Sequence, residues 1–166
     1  MTPVPDTLLA CTLHGRRIAF ATDAVAGVLP LPRLWRPPGT PAPVLGFATL
    51  GQEAVPAIDL GRLLLDETQV PGLDAHLVLV RAVNAGAMLL LVDRAEGIVA
   101  VDGTTARAVE DDRSFNGCVQ WEVDGPAGLV HVLALDRLLR AEEQVRLAAL
   151  AAEAGRRDAD WNTAEA

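Results

Sequence analysis

The chain contains no lysine, no tyrosine and a single serine, Ser114. The first absence excludes a phosphate-loop lysine and a Schiff-base lysine, and the second a tyrosine acid. A serine nucleophile would have to be Ser114, and its surroundings, DDRSFNG, lack the glycine-flanked elbow that presents such a serine. Aromatic residues are scarce at 4%, so the core must be built from Leu, Val and Ala. The two cysteines, Cys11 and Cys118, lie far apart within apolar alternations and form no C-x-x-C, which predicts buried thiols in strands. With 14 basic against 22 acidic side chains and a net charge of -8, no basic face is available to neutralise phosphates, and nucleic acid is excluded as a partner. No apolar run approaches the roughly 18 residues that span a bilayer. The opening MTPVPDTLLA has no basic stretch before an apolar one. The expectation is a cytoplasmic protein with no direct membrane insertion.

What is present is an aliphatic chain of 166 residues, 51% hydrophobic, long enough for one domain or two small ones sharing a core. Short apolar runs separated by turn signals recur from residue 8 to residue 135. Leu9, Cys11 and Leu13 alternate with small or polar residues, and HGRR turns the chain into Ile18-Ala19-Phe20, a hairpin of period two. Val25, Val28 and Leu29 form another extended run. Leu77 to Val80 and Met88 to Val92 are continuously apolar around Asn84-Ala85-Gly86, as expected of a hairpin buried on both faces. Ile98 to Val101 follows, then Val119, Trp121 and Val123 on one strand face, then Leu129 to Leu135. The pattern predicts nine or ten strands. Residues 30–43 concentrate prolines and read as a stiff crossover, although Pro38 and Pro41 make a P-x-x-P. A helix is predicted from Asp136 as N-cap, with Leu138, Leu139, Val145 and Leu150 on its apolar side and Gly155 as its stop.

Two echoes recur in the same order. Asp23 to Leu31 (DAVAGVLPL) matches Asp93 to Val101 (DRAEGIVAV), and Ala57 to Leu64 resembles Leu133 to Leu139, each placing an Asp before a Leu-Leu pair. They predict two related β subdomains.

Chemistry finds little support. His14, His76 and His131 have no ligand at metal spacing. Glu110-Asp111-Asp112 lacks the register of a calcium loop. Asp59 and Asp93, each at a strand end, are explained by helix capping and turn formation. No catalytic residue, metal or cofactor is assigned, and the protein reads as a binding module, not an enzyme.

From Leu8 to Leu139 the order of motifs resembles the CheW-like domain family of bacterial chemosensory adaptors. The most specific stretch is Gly46-Phe47-Ala48-Thr49-Leu50-Gly51-Gln52-Glu53-Ala54-Val55-Pro56-Ala57-Ile58-Asp59-Leu60, similar to the family's G-x-x-N-L-R-G-x-x-V-P-x-x-D-L. Val25-Ala26-Gly27-Val28 resembles its V-x-E-I/V, with Leu91-Val92-Asp93-Arg94 and Leu135 to Leu139 in support. The resemblance implies a mostly β fold of two intertwined five-stranded SH3-like β-barrels sharing a core, plus a C-terminal α-helix. It implies a domain over 7–155, with halves near 15–75 and 76–135, a closing helix over 136–155 and a flexible tail over 156–166. It also implies a non-catalytic adaptor that couples chemoreceptor cytoplasmic tips to the regulatory domain of a CheA-type histidine kinase. By this resemblance receptor contact falls on Val25, Gly27, Val28, Thr49, Leu50 and Gly51, and kinase contact on Val44, Gly46, Glu53 and Val55. Thr49, Gly51 and Gln52 stand where the family carries Asn, Arg and Gly, and Gly27 stands where it carries Glu. Losing both charges together leaves neither unpaired, so restoring them through Gly27→Glu with Gly51→Arg is expected to cost little stability. Two alternatives remain: an auxiliary module that binds kinase or another adaptor but not receptors, and a β-barrel that binds a small ligand.

Overall fold

The computed structural model describes residues 3–68, 70–82, 86–110 and 117–163. Asn84 and Ala85 of the predicted hairpin turn, Ser114, and Asp111-Asp112 of the acidic loop lie outside the described residues. In chain order the elements are β1 (Thr7–Leu13), β2 (Arg16–Ala21), β3 (Val25–Pro30), β4 (Val44–Leu50), β5 (Glu53–Asp59), α1 (Leu60–Leu65), β6 (His76–Ala82), β7 (Gly86–Val92), β8 (Arg94–Ala100), β9 (Ala106–Ala108), β10 (Val119–Gly125), β11 (Gly128–Leu133) and α2 (Ala141–Thr163). Short 3-10 turns occupy Thr22–Ala24, Gly103–Thr105 and Leu135–Arg137. Three strands have no counterpart among the runs read from the sequence: β4, β5 and the three-residue β9, which has no apolar run to mark it.

The strands form two sheets, ordered β8-β1-β2-β11-β10-β9 and β3-β6-β7-β5-β4. The order shows one unit used twice: a hairpin, an edge strand, further strands and a helical turn. The first unit runs from β1 to α1 and the second from β6 to the 3-10 turn at Leu135–Arg137. Each hairpin leaves its own unit and joins the other's sheet, where it meets a strand in parallel: β2 against β11 and β7 against β5. The repeating units are therefore not the sheets, since each sheet takes its hairpin from the other unit. The first echo marks equivalent places, because β3 and β8 pair with the leading strands β6 and β1, and both pairings shift register beside the echoed glycine, Gly27 or Gly97. Similar shifts fall between Val44 and Gly46 in β4 and between Val119 and Trp121 in β10.

Alternation explains why β1, β2, β6 and β7 are so apolar. Cys11, Leu13, Ile18, Phe20, Val78, Val80, Met88, Leu90 and Val92 enter one core shared by the two sheets. Their neighbours turn the other way, Leu77, Leu89 and Leu91 into one barrel and Leu8 and Ala19 into the other. Strands buried on both faces read as continuous hydrophobic runs. Both cysteines are buried and free. Burial, with Glu96 adding to it, pushes the Cys11 thiol up to about 12. Burial likewise pushes Cys118 up to about 11, against the opposing pull of Arg137. The Cys118 thiol donates to the Arg137 carbonyl at 3.0 Å.

The C-terminal helix differs from its expected limits at both ends. Asp136 is not its N-cap, because Leu135–Arg137 closes as a separate 3-10 turn with no side-chain cap bond. The helix starts after Arg140, whose backbone N–H donates to the Glu143 carboxylate at 2.7 Å while its carbonyl accepts from Gln144 N at 2.9 Å. That is the reciprocal half of a capping box. Gly155 does not stop the helix, and residues 156–163 continue it. One interior glycine costs about 1 kcal/mol relative to alanine. Burial of Leu147 and Ala154 beneath the helix offsets that cost.

Candidate functional site

Edge strand β3 and the β4–β5 hairpin carry the residues expected to meet a receptor. Along β3 exposure alternates, so Val28 is 40% exposed while Val25 packs against the shared core. A Cβ built on Gly27 would meet nothing within 4 Å, so a larger side chain has room there. β3 and β4 are the two ends of their sheet's order and share no ladder. They are joined through the barrel interior, where Leu29 of β3 and Leu50 of β4 pack against the same apolar cluster.

The hairpin turn is set by glycine. Leu50 pairs with Glu53 across a two-residue loop, Gly51-Gln52. Gly51 has φ +64, whereas Gln52 is not among the positive-φ residues. A positive first position alone is the type II′ pattern, whose twist matches the flanking strands. The expectation that Gly51→Arg costs little is thereby corrected: the side chain would find open space, but an L-residue there sits in the left-handed region. The departures at Gly27 and Gly51 are not equivalent, one being free and the other tied to a turn.

The expected kinase contacts divide more sharply. Glu53 is exposed at the start of β5, but Val44 and Val55 are buried, in the shared core and in the barrel interior respectively. Gly46 is buried too, with φ +150, and a Cβ there would lie 2.7 Å from the Trp35 carbonyl oxygen. Its role is to let the proline-rich crossover lie on β4, where Trp35 and Phe47 exchange backbone hydrogen bonds at 2.9 and 2.7 Å. Val44, Gly46 and Val55 are therefore packing residues, and of the four only Glu53 is exposed. Alternation along β4 and β5 could have flagged this, because Val44 and Val55 are among the most apolar positions of their strands.

One neighbour of the site has no signal in the expected boundaries. Thr49 Oγ1 lies 3.4 Å from Asp158 Oδ2, so the part of α2 beyond Gly155 reaches the exposed end of β4. Ending the helix at Gly155 hid this contact.

The polar residues weighed for catalysis are committed elsewhere. Asp59 caps α1, accepting from Arg62 N at 3.2 Å, as its place before Leu60 predicts. Asp93 accepts from His14 N at 2.7 Å, and His14 Nδ1 lies 3.1 Å from Glu67. His76 Nδ1 accepts from Ala95 N at 3.2 Å. Asp59, Asp93 and His14 do line one cavity of about 460 Å3, a juxtaposition that sequence did not bring out. Asp59 and Asp93 each accept from a backbone N–H, which explains their places without chemistry. Among the described residues no group of His, Cys, Asp and Glu is arranged to hold a metal ion, and no helix is long and apolar enough to cross a membrane.

Comparison with known proteins agrees with this architecture. A family model described as the CheW-like domain matches residues 7–143. Among solved structures the chain is similar to the crystal structure of the scaffolding protein TtCheW from Thermoanaerobacter tengcongensis. The TM-score is 0.74 at 16% identity, covering 86% of this chain and 92% of that one. Among curated proteins nothing matches.

Proposed function

The chain belongs to the CheW-like domain family, and from that premise we propose that it is a cytoplasmic, non-catalytic scaffold coupling chemoreceptor tips to a CheA-type histidine kinase. The observation that carries this reading is the match over residues 7–143 together with a fold in which both units and both exchanged hairpins are present. An adaptor of this kind needs rigid geometry between two docking faces and no reactive group. The interlocked sheets supply the rigidity, since neither unit completes a sheet without the other's hairpin. The proposed receptor face is Val25, Gly27 and Val28 on β3 with Thr49, Leu50 and Gly51 on the hairpin. Val28 is its exposed apolar contact. The proposed kinase contact centres on Glu53.

A titration of the purified chain against a cognate kinase regulatory domain and a receptor tip fragment tests the reading. Binding to both is expected, with Val28→Glu weakening the receptor arm by roughly tenfold or more, as for a central apolar contact. Binding to neither overturns the proposal. The absence of the family's Glu and Arg, with Gly27 and Gly51 in their places, favours one second reading: an auxiliary module that binds kinase alone. That reading predicts no receptor binding by the natural chain and its appearance on Gly27→Glu with Gly51→Arg.

A further inference from the structure

Helix α2 meets the β body through Leu147 and Ala154 and turns its other side to solvent. The 3.6-residue period places Val145, Ala149, Ala152 and Arg156 on that outer side, away from Leu147 and Ala154. All four are exposed, Val145 at 72%. Glu142, Arg146, Glu153 and Arg157 run along one border of this face and are exposed too. Glu142 and Arg146, like Glu153 and Arg157, have the four-residue spacing that closes an ion pair along a helix. Among the described residues neither pair closes.

The order of these charges selects the occupant. A twofold axis passing between Ala149 and Leu150 exchanges Glu142 with Arg157 and Arg146 with Glu153. The same axis exchanges Glu143 with Arg156 and brings Asp160 beside Arg140. Every charge from Arg140 to Arg157 thereby meets its opposite, and Asp158 is turned to Thr49 on the body side. Such an axis also sets the same border of both helices face to face. A parallel pair would instead bring each residue to its own copy, so every contact would join like charges. A partner of one charge sign would find two glutamates and two arginines on this border, as many repelling as attracting.

We propose that α2 pairs antiparallel with α2 of a second copy of this chain, with Val145 of each copy covered by Ala152 of the other. One helix from each copy makes a contact at or below the roughly 1,200 Å2 where stable interfaces begin, so the pair is weak and forms with concentration. The proposal goes beyond the adaptor reading and does not depend on it, and its test needs no other protein. Sedimentation of the full chain is followed from micromolar to millimolar concentration at low salt. A monomer–dimer equilibrium is expected, and added salt should weaken it. Arg146→Glu alone and Glu153→Arg alone each create two like-charge contacts in the symmetric pair and should weaken dimerisation about tenfold. Arg146→Glu combined with Glu153→Arg should restore it, which a merely weakened helix would not do. Orientation is read from disulfide formation under mild oxidation, since both native thiols are buried. Ala149→Cys, beside the axis, should crosslink, whereas Ala141→Cys, about 25 Å from its copy along the helix, should not. All four substitutions are at exposed positions of the helix. A chain that stays monomeric at millimolar concentration, association unchanged by either single reversal, no recovery in the double reversal, or equal crosslinking at both positions overturns the proposal.

Discussion

The two units of the repeat use one plan and end differently. In the first, the strand-ending Asp59 caps a six-residue helix and its edge strand β3 leaves Val28 40% exposed. In the second, the corresponding Asp136 lies in a 3-10 turn without a cap bond, and the edge strand β8 leaves Ile98 70% exposed. The crossover and α2 lie on the first unit's β4–β5 hairpin, through Trp35 and through Thr49 and Ala54. The lesson is that the exchanged hairpins and the shared core hold the scaffold, which frees the two unit ends to diverge. The residues proposed for docking cluster on the end that has been elaborated.

The sharpest way to break the comparison is to move between the shared core and an edge. Leu90→Ala, in the shared core, should lower unfolding free energy by about 2–5 kcal/mol. Ile98→Ala on β8 should stay within about 0.5 kcal/mol, as exposed positions do. Urea denaturation of both measures the gap, and equal losses would mean the edges are as constrained as the core.

The thiols give the next effect. Both are raised on folding from the ordinary 9.0, to about 12 for Cys11 and about 11 for Cys118. A raised thiol favours the protonated folded state, so this stability is complete below 9.0 and is lost as pH rises towards the folded values. The slope reaches at most about 1.4 kcal/mol per pH unit for each thiol. Because the chain has no lysine or tyrosine, few other groups titrate there. Urea midpoints measured from pH 8 to pH 10.5 should fall, and Cys11→Ala should flatten the fall. A flat wild-type profile would contradict the burial of both thiols.

Equivalent glycines then separate the units. Gly97 has φ +141 and Gly27 has no left-handed φ, although neither has a neighbour within 4 Å of an added Cβ. Gly97→Ala should cost about 1–2 kcal/mol and Gly27→Ala close to nothing. Gly51→Arg should cost about the same as Gly97→Ala, so the double change Gly27→Glu with Gly51→Arg takes its whole cost from Gly51. The smallest expected contrast is between the two aspartates. Asp59→Ala should cost about 1 kcal/mol through the lost helix cap, and Asp136→Ala should fall within about 0.5 kcal/mol. Thermal unfolding of the pair measures it.

The β1–β2 and β6–β7 hairpins and the capping Asp59 were legible in sequence because alternation and caps are local rules. So was the echo at Gly27 and Gly97, which marks the same edge position twice. Val44, Gly46 and Val55, which the motif marks for a partner contact, are buried. A motif records which residues recur but not whether the fold turns them inward. The helix likewise runs past the local stop signal at Gly155, and Asp158 beyond it meets Thr49 of β4.

By itself the sequence determined an aliphatic, mostly β chain with two related units, a capped turn after the first, buried thiols and a family likeness. Each of these follows from residue type and short spacing. Only the tertiary structure decided that each hairpin crosses to the other unit's sheet, that Trp35 lies on β4 over Gly46, and that the end of α2 meets Thr49. Periodicity specifies which faces must be buried but not which distant segment buries them, and that choice belongs to the packing of the whole chain.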